Sequence, residues 1–166
     1  MFSPRVFNPD DYLRTPAGRI FTEERNAKAW EQLYAELERC FSDAGPEAHF
    51  FLVMGVQGGG KTTWIRHHAA ARGAAAVFLD AALPARRHRV HAMALVKRFG
   101  IRATAVWVNV PLDPALRQNA QRPSDEVVRE TAVRGTFSVI EAPTLDEGFD
   151  DIIVVAGGDH GLRISH

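Results

Sequence analysis

One stretch limits the fold more than any other: Phe50-Phe51-Leu52-Val53-Met54-Gly55-Val56-Gln57-Gly58-Gly59-Gly60-Lys61-Thr62-Thr63, an apolar run that breaks into glycines and ends on a lysine and two hydroxyls. Five apolar residues in a row read as a strand buried on both faces, as in a parallel sheet, and Gly55 through Thr62 fit the pattern G-x-x-x-x-G-K-[ST] at every position. In such a loop the glycines reach backbone conformations closed to other residues, so that successive N–H groups point inward at an anion. A helix opening at Lys61 adds unpaired N–H groups and the positive end of its dipole. The segment is therefore expected to bind a nucleoside triphosphate through Gly55, Gln57, Gly58, Gly59, Gly60, Lys61, Thr62 and Thr63. Lys61 would serve the outer phosphates and Thr62 would hold magnesium, so ATP and Mg2+ are the implied ligands.

At 166 residues and 46% hydrophobic, the chain is long enough for one domain with a substantial core and too short for two ordinary ones. Residues 1–166 are read as a single domain. Lys+Arg and Asp+Glu stand equal at 20 each, so no overall field draws the protein to nucleic acid or membrane, and any such contact must be local. Cys40 is the only cysteine, which rules out a disulfide within the chain and suits a reducing cytosol. The segment from Met1 to Asp11 lacks the apolar core of a signal peptide, and no later apolar run approaches spanning length. A cytoplasmic protein with no membrane partner is expected.

Arg5-Val6-Phe7 reads as a short strand ended by Asn8-Pro9-Asp10-Asp11, since the residue before proline avoids helix and Asn and Asp favour turns. Thr22-Glu23-Glu24-Arg25 marks a helix start, and Ala29, Trp30, Leu33, Leu37 and Phe41 recur at helical spacing until Gly45-Pro46. After the glycine-rich strand comes a helix from Lys61 to about Arg72, then a second buried strand, 75–80, ending on Asp80. Pro84 suits the first turn of a helix that runs to Gly100, and residues 101–110 are strand again. Pro111-Leu112-Asp113 opens a helix through Arg117 and Arg122, Ser124 caps another to about Phe137, and 152–155 is the last strand, with a frayed tail over 156–166. Strands alternating with helices imply an α/β fold: a five-stranded parallel sheet covered on both faces. Ligands in such sheets bind beyond the carboxyl ends of the strands, so the glycine-rich loop, Asp10/Asp11 and Asp80 should face one cleft.

Asp80 closing an apolar strand has the pattern of a Walker-B acid that joins Thr62 at magnesium, although an acid there equally caps a following helix. Arg117 and Arg122 follow the fourth strand and are candidates for a lid that delivers arginine to transferring phosphoryl oxygens. The basic cluster Arg86, Arg87, His88, Arg89, His91, Lys97 and Arg98 spreads around more than one helix face and reads mostly as solvated surface. His67 and His68 lack a spaced cysteine or carboxylate set and read as packing or surface residues.

Together the segments resemble the polynucleotide-kinase-like branch of the P-loop kinases, which includes zeta-toxin-like and small-molecule kinases. Four parts over residues 5 to 155 carry the resemblance. They are Gly55 to Thr62; Asp80 with Arg89 and the Gly100 turn; Arg117-Gln118-Asn119-Ala120-Gln121-Arg122, similar to a lid of the form R-N-x-x-R; and the run from Pro143 to Asp150, similar to an ending P-x-x-x-E-G-F-D. A fifth part, S/N-x-D-D-y-R, is matched by Asn8-Pro9-Asp10-Asp11-Tyr12-Leu13-Arg14, with the arginine one residue further from the acids and the whole segment ahead of the glycine-rich loop rather than after its helix. The resemblance implies that Asp10 is the base for an acceptor hydroxyl, with Asp11 as runner-up, and that Asp11, Arg14, Asp80 and Arg89 contact the acceptor. A segment order rearranged around an unchanged site makes the sheet order 1-3-2-4-5. The expected function is an ATP-dependent kinase acting on a hydroxyl, whether of a nucleic-acid 5′ end, a small molecule or a nucleotide sugar. The alternative is a P-loop ATPase or nucleotide-binding switch.

Overall fold

A computed structural model describes residues 4–156 of the chain. Its main sheet holds five strands: β1 (Arg5–Phe7), β4 (His49–Met54), β5 (Ala76–Asp80), β6 (Arg102–Asn109) and β7 (Asp151–Ala156). They lie in the order β1-β5-β4-β6-β7, and every pairing is parallel. Counted along the sheet strands alone, this is the expected 1-3-2-4-5, with the N-terminal strand at the edge beside β5. Two very short strands, β2 (Arg14–Thr15) and β3 (Gly18–Arg19), form a separate antiparallel hairpin that the sequence pattern did not suggest.

The long apolar run of β4 is explained by helices on both sides. Phe50, Leu52 and Met54 point into one core with Leu33, Leu37 and Phe41 of α1 (Glu23–Ala44) and Met93 and Val96 of α3 (Arg86–Phe99). Phe51 and Val53 point into the other, with Trp64 and Ile65 of α2 (Lys61–His68), Ala115 of α4 (Leu112–Ala120) and Val133 of α5 (Glu130–Ser138). Burying each such Phe or Leu is worth roughly 1.5–3 kcal/mol, and a strand buried on both faces gains this at every position instead of every second one. Thr22 caps α1 as expected, its hydroxyl accepting from the Arg25 N–H.

Three boundaries differ from expectation. The helix bearing Arg117 ends at Ala120, so Arg122 lies on the loop beyond it. Ser124 caps nothing; α5 begins at Glu130, because Pro123 and the turn after it interrupt the helical path. Ala156 belongs to β7, paired opposite Asn109, and is not tail; the rest of that tail, 157–166, lies outside the described residues.

Register places the site. Phe7 pairs with Leu79, and Val53 with Asp80, so β1, β5 and β4 end at one edge and deliver Asn8, Asp80 and the glycine-rich loop to the same place.

Candidate active site

The loop after β4 turns back at Gly58 and enters α2 at Gly60. Gly58 has φ 76°, and a Cβ there would stand 2.4 Å from the Ala115 carbonyl oxygen and 2.8 Å from the Asn119 nitrogen, so loop and α4 pack backbone against backbone. Gly60, at φ 101°, supplies the left-handed residue that caps α2. Gly55 and Gly59 are buried and shape the loop from below, their N–H groups bonded to the Ala82 and Val56 carbonyls. Gln57, Gly58, Gly60, Lys61, Thr62 and Thr63 line the cleft above.

Lys61 folds across the loop, its Nζ donating to the carbonyls of Gly55 (3.0 Å) and Val56 (3.1 Å). Burial pushes its ammonium below the usual lysine range; Asp80 and Asp10 pull it back up, and Arg122 pushes it further down. An anion arriving here would meet a cation whose burial is not yet fully offset. Thr62 Oγ1 donates to Asp80 Oδ2 at 2.6 Å, and Asp80 is 4% exposed. Among the described residues no group of three or more His, Cys, Asp or Glu side chains gathers as a metal cage. One hydroxyl and one carboxylate nevertheless suit magnesium, which takes few protein ligands and completes its shell with phosphate oxygens and water.

Opposite the loop, a short 3-10 turn (Pro9–Leu13) carries the acids. Asn8 caps it, accepting from the Asp10 N–H at 2.9 Å, while the Asn8 amide donates to Asp80 at 3.4 Å. Buried Leu13, and Tyr12 donating to Glu36, pin the turn to α1. Asp10 lines the cleft with its Oδ1 3.2 Å from Arg19 Nε. The Arg19 side chain is only 12% exposed, also lines the cleft, and lies beside the Phe21 ring, 5.9 Å from its centroid. Trp30 of α1 completes this wall. Sequence reasoning missed Arg19; the turn signal Thr15-Pro16-Ala17-Gly18 is what would have exposed its hairpin.

The third wall is the segment after α4. Arg122 lines the cleft, partly exposed, with Glu126 3.8 Å away. Asn119 is buried and staples the segment, donating to the Val128 carbonyl (2.7 Å) and accepting from the Val128 N–H (3.1 Å). Arg117 stays on the exposed side of α4 and does not line the cleft, because the helix ends between it and Arg122.

Three residues expected at the acceptor are elsewhere. Asp11 is 60% exposed and faces Arg14 at 3.6 Å; Arg14 is drawn outward to Glu126 at 3.0 Å, and neither lines the cleft. Arg89 is wholly buried under the ending segment, forked onto Glu147 at 2.7 Å through both Nε and Nη2, with Nη1 donating to the carbonyls of Leu83, Pro84 and Glu141. Acceptor contacts from Asp11, Arg14 and Arg89 are thereby corrected: two are turned to solvent and one is consumed inside the protein. The ending is structural too, with Phe149 in the core and Asp150 accepting from the Ala103 N–H.

The loop, Asp80, Asp10 and Arg122 thus line one cleft of about 960 Å3. Compared with known proteins, the chain matches no protein-family model and no curated protein. Among solved structures it is similar to an unliganded sugar kinase from Janibacter sp. HTCC2649, at 14% identity over 66% of this chain and 85% of that one, with a TM-score of 0.46.

Proposed function

We propose that the protein is an ATP-dependent kinase that transfers the γ-phosphoryl group to a hydroxyl. The observation that carries this reading is the facing of Lys61, the Thr62–Asp80 pair and Arg122 against the Asp10–Arg19 pair across one cleft. A site for triphosphate alone has no use for a carboxylate on the opposite wall, whereas phosphoryl transfer needs both ends held in line.

In the proposed reaction the loop N–H groups and Lys61 hold the β- and γ-phosphates. Thr62 and Asp80 would hold magnesium, which when bound would screen the phosphate charge. Arg19 faces Asp10 Oδ1 as an ion pair, leaving Oδ2 to take the proton of the acceptor hydroxyl. The acceptor oxygen bonds to the γ-phosphorus as the bond to the bridging oxygen breaks, ADP leaves on the Lys61 side, and Asp10 returns its proton to water. Arg122 stabilises the charge that spreads over the γ-oxygens. At the acceptor end Phe21 and Trp30 offer aromatic faces beside a guanidinium, which favours an acceptor bearing a flat ring and an anionic group, as a nucleic-acid 5′ end does, over a bare sugar. The edge position of β1 supports a rearranged relative of the polynucleotide-kinase-like enzymes.

The test offers γ-labelled ATP with DNA ends, RNA ends and a pool of small alcohols. Label on an acceptor supports the kinase; hydrolysis with no labelled acceptor supports the ATPase or switch instead.

A further inference from the structure

Two acids at the tip of the segment after α4 join the two walls of the cleft. Glu126 divides its oxygens between them, with Oε1 3.0 Å from Arg14 Nη2 on the hairpin and Oε2 3.8 Å from Arg122 Nη2 on its own segment. Asp125 accepts from the backbone N–H of Arg19 at 2.9 Å, and a Cβ on Gly18 would stand 3.1 Å from the same carboxylate oxygen, so the hairpin approaches closely because residue 18 is glycine. The far end of the segment is already anchored by Asn119 on Val128 and by α4 against Gly58. With its base fixed on the loop and its tip on the hairpin, the segment spans the cleft from the triphosphate side to the side that carries Asp10.

We propose that Asp125 and Glu126 form a clasp whose closure positions Arg122 for the phosphates only when the Asp10–Arg19 wall is in place. Resting on the kinase reading, this assigns Glu126 a positioning role: it touches no reacting atom but holds the arginine that does. The connection is short. Asp10 binds the Arg19 guanidinium, the Arg19 backbone binds Asp125, and the adjacent Glu126 binds Arg122. Glu126 and Arg122 are partly exposed and Arg14 half-exposed, so each contact is weak and the clasp is reversible, as substrate entry requires. Arg14, absent from the cleft, finds its use here.

The experiment compares the full chain with the double variant Asp125→Ala/Glu126→Gln by amide hydrogen exchange, without nucleotide. Exchange should quicken together in 14–20 and 121–129, by roughly fivefold, the scale of a few partly exposed charged contacts, while β4 stays protected. Quickening in only one of the two segments, or in neither, overturns the clasp. A second readout is one that loss of structure alone does not move: the loss of MgATP affinity caused by Arg122→Ala. That loss should be smaller in the clasp-broken background than in the native one, because Arg122 is already displaced there; an equal loss in both overturns the positioning role. Native protein that binds no MgATP overturns the kinase reading itself, and the exchange measurement still decides the clasp.

Discussion

Arg89 and Arg122 each face a glutamate, yet they stand in opposite situations. Arg89 has all three nitrogens bonded: Nε and Nη2 on Glu147 at 2.7 Å and Nη1 on three backbone carbonyls, with no exposure. Arg122 has one loose partner at 3.8 Å, is 29% exposed, and borders a cavity. A guanidinium has five N–H groups, so the difference is one of donors within reach: Arg89, sealed from solvent with each nitrogen bonded, has none that meets a ligand, and Arg122 keeps most of its own at the cleft. Direction separates the others: Arg14 turns outward to Glu126 and Arg117 to solvent, whereas Arg19 lines the cleft. An arginine beside an acid is therefore no guide to function until its unspent donors and their direction are known.

The contrast can be broken most sharply at Asp10. Asp10→Asn keeps the turn, which is held by the Asp10 backbone N–H on Asn8, but cannot take a proton at neutral pH; turnover should fall by about 10²–10⁴-fold with melting temperature nearly unchanged. A variant that transfers phosphoryl at the native rate would return Asp10 to a turn-forming role. Arg89→Met should behave in the reverse way. Removing one partner of a buried pair leaves Glu147 uncompensated, at a cost of about 3–5 kcal/mol read by denaturant unfolding, and any activity of the remaining folded protein should be native. Arg122→Ala should lower turnover by about 10²-fold with less effect on nucleotide affinity, because its contribution grows as charge spreads in the transition state. Arg117→Ala is the smallest: with its side chain exposed and off the cleft, turnover and stability should stay within about 0.5 kcal/mol of native.

Much of the architecture could be read from residues alone, and for identifiable reasons. Apolar runs such as 50–54 and 76–79 belong to strands buried on both faces, whereas the short Arg5-Val6-Phe7 run, with Val6 exposed, suits the edge position that β1 occupies. The hairpin escaped because strands of two residues carry no periodicity. Arg89 could be read only as a cluster cation or, by resemblance, as an acceptor contact, because Glu147 lies 58 positions away and only the fold brings them together. Arg14 sat nearer the expected motif spacing than Arg19, but Glu126, more than a hundred residues on, draws it outward while the hairpin returns Arg19 to Asp10. Long-range ion pairs decided both arginine cases, and short spacing patterns do not record them.

The central claim rests on Lys61, whose pKa is lowered by burial, so it holds its charge at a cost that a bound phosphate would offset. Because the unfolded chain keeps this proton at pH values where the folded protein has released it, stability should rise with pH between the lowered folded value and the ordinary 10.5. The same burial means that Lys61→Met should leave the protein as stable as before or more so. Calorimetric titration of MgATP into the native protein and into Lys61→Met tests the account directly: one equivalent should bind the native protein, and binding to the equally folded variant should weaken by at least about 100-fold. Equal affinity in the two proteins, or none in the native one, would contradict a phosphate site at this loop.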